Sequence, residues 1–122
     1  EIAIKLKDLV DKGEFIVIAA DRVAIGGGRA IELPFFGRPA RFPSGGALIA
    51  AVLKCPVGML TAVRDGRAYF LKTVFLGDFS QVTRKQRQVE IERVMRSYAE
   101  NLEVMAKRYP LQWFNFFDFW AR

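Results

Sequence analysis

The stretch Phe15-Ile16-Val17-Ile18-Ala19-Ala20, followed at once by Asp21-Arg22, decides how the chain reads. Six apolar residues in a row have the length of a strand and leave no polar face. Such a run suits a strand covered on both sides, as in a parallel or mixed sheet. Upstream, Ile2, Leu6, Leu9 and Val10 recur at helical spacing, and Gly13 supplies a C-terminal stop. Helix, glycine and buried strand in succession predict an α/β fold: a mixed sheet flanked by helices, with residues 15–20 near its centre.

Downstream, residues 21–28 read as a loop. Residues 30–36 then form a strand whose Pro34 argues for an edge or a bulge, and residues 37–43 are turn-rich. Ser44 can cap a helix over residues 45–54, which Pro56 stops. Two strand-like runs, 57–64 and 67–75, meet at Asp65-Gly66, a strong hairpin signal placed towards the sheet's edge. Thr83 and Gln86 make a capping box before a long helix. Ile91, Val94, Met95, Tyr98, Leu102 and Met105 line one face of it. Glu92–Arg96 and Glu103–Lys107 form i, i+4 pairs on the other face. Pro110 ends the helix.

At 122 residues the chain is one domain, residues 1–122, or the C-terminal fragment of a larger one. It contains no histidine, which removes the commonest general base, the commonest metal ligand and every serine–histidine or cysteine–histidine nucleophile. A single cysteine, Cys55, cannot form an internal disulfide, which fits a reducing compartment, and reads as a small buried hydrophobe. With no histidine beside it, structural zinc is not expected. The net charge of +6 points to nucleic acid, an anionic membrane or acidic ligands, without choosing among them. The most apolar stretch, residues 47–63, is broken by Lys54 and Pro56 and falls short of the roughly 20 residues that span a bilayer.

Three features stand above this background. Asp21-Arg22 follows the apolar run at the end of a strand, where ligands collect in open α/β sheets; it can also be a loop-start pair bonding local backbone. Arg22, Arg29, Arg38 and Arg41 share a stretch with no lysine and one acid, Glu32. Arginine's planar fork suits phosphate and carboxylate, although a solvated basic loop would look the same. In the same region lie Phe35-Phe36-Gly37 and Phe42-Pro43-Ser44-Gly45-Gly46, whose glycines either seat an anion at a helix start or serve only the turn. Gly26-Gly27-Gly28 precedes a strand where a dinucleotide-binding fold needs a helix, so that reading fails. The third feature is the tail Pro110-Leu-Gln-Trp-Phe-Asn-Phe-Phe-Asp-Phe-Trp120. It is too aromatic to stand in solvent, so it caps the core or meets a membrane interface. Arg84, Lys85 and Arg87 open the long helix with the wrong sign for its dipole, which suggests an anionic partner. An anionic membrane surface would satisfy these three together with Phe116, Phe119 and Trp120.

In order along the chain, Ile18-Ala-Ala-Asp21-Arg22, Phe35-Phe36-Gly37 with Phe42-Pro43-Ser44-Gly45, Lys54-Cys55-Pro56-Val57 and the aromatic tail resemble the lysophospholipid acyltransferase-like superfamily. The nearest branch holds the lipid A biosynthesis, glycolipid and aryl polyene acyltransferases. The resemblance implies the C-terminal portion of an enzyme that moves a fatty acyl group to a hydroxyl of a lipid or glycolipid. The donor would be a thioester of acyl carrier protein or coenzyme A, with no bound cofactor. That family's His-x-x-x-x-Asp/Glu motif lies upstream of the Asp21-type strand and maps to no residue here. The chain is therefore expected to be inactive alone, with the motif supplied upstream. Asp21 and Arg22 would line the floor of the site. Arg22, Arg29, Arg38 and Arg41 would face anionic groups of donor or acceptor, with Gly37, Ser44 and Gly45 beside them. Phe35, Phe36 and Phe42 would wall the acyl channel. The expected location is peripheral, on the cytoplasmic face of the inner (plasma) membrane. The alternative is a non-catalytic membrane or partner-binding module. A nucleic-acid-binding module is disfavoured, because single-strand binders interleave basic and aromatic residues and this chain separates them.

Overall fold

The computed structural model describes residues 2–23 and 27–120. Helix α1 spans Ile2–Asp11 and ends in a Schellman motif: Glu14 N–H bonds the Leu9 carbonyl, and Gly13 N–H bonds that of Val10. Gly13 takes φ +80°, which only glycine adopts without strain. The helical stop read at this position is the one formed.

Two antiparallel hairpins follow. Strands β1 (Ala30–Phe35) and β2 (Arg38–Pro43) pair in one sheet, and β3 (Pro56–Asp65) and β4 (Ala68–Asp78) pair in the other. Helix α2 (Gly45–Leu53) joins the two, and helix α3 (Arg87–Arg108) packs against β1, α2 and β4. A 3-10 turn at Pro110–Gln112 leads into the tail. The chain is thus α/β, with three helices and two small antiparallel sheets.

The expected central strand at residues 15–20 is not formed. The segment is extended but pairs with no strand, and Phe15 and Val17 are 97% and 83% exposed. A strand needs a neighbour for its N–H and C=O groups, and this segment joins neither of the two hairpins. Ile16 and Ala20 are half-buried, and the side chain of Ile18 lies 3.8 Å from where a Cβ on Gly46 of α2 would stand.

The β1–β2 turn places Phe36 and Gly37 at φ +51° and +75°, positive at both central positions as a type I′ hairpin requires. Residues 38–43, read from sequence as turn-rich, are therefore a strand. Pro34 stands opposite Pro39. Prolines are tolerated because a two-stranded sheet has only edges. Leu33, Phe35, Ala40 and Phe42 alternate inward, while Glu32 faces Arg41 across the outer side. In the second hairpin Gly66 (φ +59°) takes the first turn position, and Asp65 pairs with Ala68. This is the hairpin expected at Asp65-Gly66.

One core joins these parts: Leu33, Phe35 and Phe42 from the first hairpin, Ala47, Ala50 and Ala51 from α2, Met59 and Leu76 from the second, and Ile91, Val94, Met95 and Ala99 from α3. The apolar stripe read on α3 is its buried face. Two local expectations change. Ser44 starts α2 without a side-chain capping bond, its N–H instead donating to the Arg29 carbonyl at 2.9 Å. Thr83 and Gln86 do bond, Thr83 N–H and Oγ1 both reaching Gln86 Oε1, but one turn ahead of α3. Glu103 pairs with Lys107 at 2.6 Å as expected, whereas Glu92 accepts from Gln88 Nε2 at 3.0 Å.

Candidate functional site

An open cleft of about 470 Å³ is lined by Asp21, Arg22, Val23, Arg41, Phe117, Asp118 and Phe119. Three elements meet there. Asp21, Arg22 and Val23 come from the segment after the apolar run, Arg41 projects from the outer side of β2, and the last three belong to the tail. Arg22 ties two of them together. Its Nη2 donates to the Phe114 carbonyl at 3.3 Å, its guanidinium lies 5.3 Å from the Phe117 ring centre, and its Nε sits 3.6 Å from Asp21 Oδ2. With Nη2 on the Phe114 carbonyl and Nε beside Asp21, part of the guanidinium fork is left to meet an anion.

On α3, Tyr98 packs at a near-perpendicular angle against Phe42, with ring centres 6.1 Å apart. Burial, with the negative charge of Asp21 adding to it, pushes its phenol up to about 12. Tyr98 therefore stays a neutral hydrogen-bonding group across the physiological range.

The structure gathers Asp21, Arg22 and Arg41 into one site and leaves other expected residues elsewhere. Phe35 and Phe42 are fully buried, and Phe36 is half-buried. Phe35 packs against Phe36, Phe42, Trp113, Phe119 and Trp120 at ring separations of 4.8–6.1 Å. These phenylalanines fill the core instead of walling a channel, because alternation along β1 and β2 points Phe35 and Phe42 inward. Arg38 stacks on Trp120 at 5.2 Å, outside the cleft. Arg29, Gly37, Ser44 and Gly45 do not line it. Gly26 of the triple glycine lies outside the described residues.

The tail is not a helix beyond its 3-10 turn. Trp120 Nε1–H donates to the Phe35 carbonyl at 3.0 Å, and Phe119 is buried beside it. Of the three tail aromatics expected at a membrane, Phe119 and Trp120 thus turn to the core, and only Phe116 is exposed. Arg84 and Lys85 are exposed and Arg87 half-buried. Arg87 begins α3 eleven residues before Tyr98, about 16 Å along the axis, so this basic turn stands apart from the tail. Sequence reading missed Phe117, Asp118 and Phe119 as cleft residues, since only the chain's return to β1 brings them there. Among the described residues no group of three or more cysteine, aspartate and glutamate side chains converges to hold a metal ion. No described helix is long and apolar enough to cross a membrane.

No curated protein and no solved structure matches the chain significantly. A family model described as bacterial lipid A biosynthesis acyltransferase matches residues 5–122. That match takes in Asp21-Arg22, both hairpins, α3 and the aromatic tail. The chain belongs to the bacterial lipid A biosynthesis acyltransferase family.

Proposed function

We propose that this chain is the C-terminal portion of an acyltransferase that moves a fatty acyl group from an acyl carrier protein or coenzyme A thioester to a hydroxyl of a lipid or glycolipid. The observation that carries the reading is the cleft in which Asp21, Arg22 and Arg41 meet, within a chain matched to the family over residues 5–122. In the reaction the acceptor hydroxyl attacks the thioester carbonyl. A general base takes the hydroxyl proton, and the thiol leaves protonated as the ester forms. No histidine is present to act as that base, so a His-x-x-x-x-Asp/Glu segment upstream supplies it. Arg22 and Arg41 hold anionic groups of the donor or the acceptor, and Asp21 orients Arg22. The enzyme works peripherally, at the cytoplasmic face of the inner membrane.

Asp21→Asn and Arg22→Gln, made in the complete reading frame, test this. Both residues are at most half-buried and anchor no core contact, so melting temperature is expected to stay within about 2 °C, as for surface changes of ±0.5 kcal/mol. Acyl transfer is expected to fall roughly tenfold or more, the size of one lost charged contact. Loss of several degrees in step with activity would make the pair structural and remove it from the site.

A further inference from the structure

The peptide group between Phe35 and Phe36 is bonded at both poles by distant parts of the chain. Its N–H, that of Phe36, donates to Glu103 Oε2 on α3 at 2.9 Å. Its C=O, that of Phe35, accepts from Trp120 Nε1 in the tail at 3.0 Å. A peptide group is planar, so turning one pole turns the other. It sits where the backbone is strained, since Phe36 holds φ +51°, a region that residues with a Cβ avoid. Such a conformation persists only where its surroundings hold it. Glu103 is suited to that. Its other oxygen, Oε1, accepts from Lys107 Nζ at 2.6 Å, and Lys107 stands 5.4 Å from the Phe36 ring centre. Lys107 first, and the Phe36 N–H after it, hold the Glu103 carboxyl below the usual carboxylate range, so it stays an acceptor.

From Trp120 the contacts run on into the cleft. Its backbone N–H donates to Asp118 Oδ1 at 3.1 Å, and Asp118 lines the cleft beside Phe117 and Phe119. Phe117 carries the Arg22 guanidinium on its ring. Ring packing also gathers this region, Phe36 stacking on Trp113 at 6.2 Å and meeting Trp120 at 6.4 Å. Apolar packing is non-directional, whereas a hydrogen bond weakens steeply off line. The orientation of one peptide group therefore decides where Trp120, and with it Asp118 and Phe117, comes to rest. We infer that Glu103 is a positioning residue for the cleft: by gripping the Phe36 N–H it aims the Phe35 carbonyl at Trp120, and so sets Asp118 and Phe117 beside Arg22 and Arg41. Glu103 does not itself line the cleft, so it acts through this turn and the tail. The inference rests on the acyltransferase reading only in taking the cleft to hold substrate.

The test compares Glu103→Ala with Glu103→Gln, whose amide oxygen can still accept the Phe36 N–H, in the complete reading frame. Amide hydrogen exchange is followed at Phe36 and Trp120, and acyl transfer from a labelled acyl thioester to a lipid hydroxyl gives kcat and KM. In Glu103→Ala, exchange at both amides is expected to rise roughly tenfold, the size of a lost bond to a charged group. KM for the thioester or the lipid should rise roughly threefold or more, with kcat held within about twofold. Glu103→Gln should restore both. Loss of folding alone removes active enzyme and lowers kcat at an unchanged KM. Glu103→Asp, one methylene shorter, should show the same split at smaller size, and it decides the matter if the alanine variant does not fold. Unchanged exchange at Trp120, a fall in kcat at constant KM, or failure of Glu103→Gln to restore either readout would each overturn the inference. If the complete frame turns nothing over, the acyl-transfer reading fails by itself, and exchange at Trp120 decides this inference alone.

Discussion

Tyr98 and Gly77 show how single positions constrain this molecule. The Tyr98 phenol is held neutral up to about 12 by burial and by the charge of Asp21. An unfolded chain ionises its tyrosines near 10. The folded value is the higher one, so Tyr98's contribution is intact below pH 10 and is lost as pH rises from there towards 12. Phenolate absorbance followed against pH should show a late phase for Tyr98, with stability falling over the same window. If Tyr98→Phe leaves the late phase of that titration in place, the late phase belongs to another tyrosine. Gly77 in β4 is buried against α3. A Cβ there would come 2.7 Å from Arg93 Nη2 and 2.8 Å from Val94 Cγ2. The guanidinium can swing away at the cost of its bond to the Leu76 carbonyl, but the stiff, fully buried Val94 cannot. Gly77→Ala should destabilise by about 1–3 kcal/mol, the usual cost of overpacking, as read by denaturant or thermal unfolding. An unchanged midpoint would mean that β4 and α3 are not in this close register.

At the scale of elements the tail is held by side chains that imitate backbone. Gln112 presents Oε1 to Arg64 N–H and Nε2 to the Arg64 carbonyl, both at 2.7 Å, as a paired strand residue would. It thereby occupies part of the otherwise open edge of β3. Gln112→Ala removes both bonds and should cost about 1–2 kcal/mol, discounted for their exposure to water. It should also loosen the tail, shifting Trp113 and Trp120 fluorescence to the red. Unaltered fluorescence and stability would mean that the Trp120–Phe35 bond and ring packing hold the tail alone. Elements set by nearby residues were legible in sequence: the α1 stop at Gly13, the Asp65-Gly66 hairpin and the apolar stripe of α3. What failed depends on distant partners. Residues 15–20 read as a central strand because apolarity reports burial, but no neighbouring strand meets them. The Phe36-Gly37 turn was missed because a phenylalanine at positive φ carries no turn signature; Glu103, bonding the Phe36 N–H at 2.9 Å, helps to hold it there. The cleft was half legible. Asp21, Arg22 and Arg41 stood out by charge and position, whereas Phe117 and Asp118 join them only through a tail that packs against β1 across a separation of 85 residues.

Taken as a whole, the molecule holds an aromatic-walled cleft in which two arginines stand with two aspartates, and no histidine, within the bacterial lipid A biosynthesis acyltransferase family. These facts fit together if substrate-holding and proton-moving parts lie on separate stretches of one enzyme. Arginines cannot replace the base, since a guanidinium stays protonated at any working pH. Tyr98 cannot either, because its phenol is held neutral. Acyl transfer from a labelled acyl thioester to a lipid hydroxyl, compared between the 122-residue chain and the complete reading frame, tests this most directly. The account predicts turnover by the complete frame and none above the no-protein blank by the chain alone; turnover by the purified chain would contradict it.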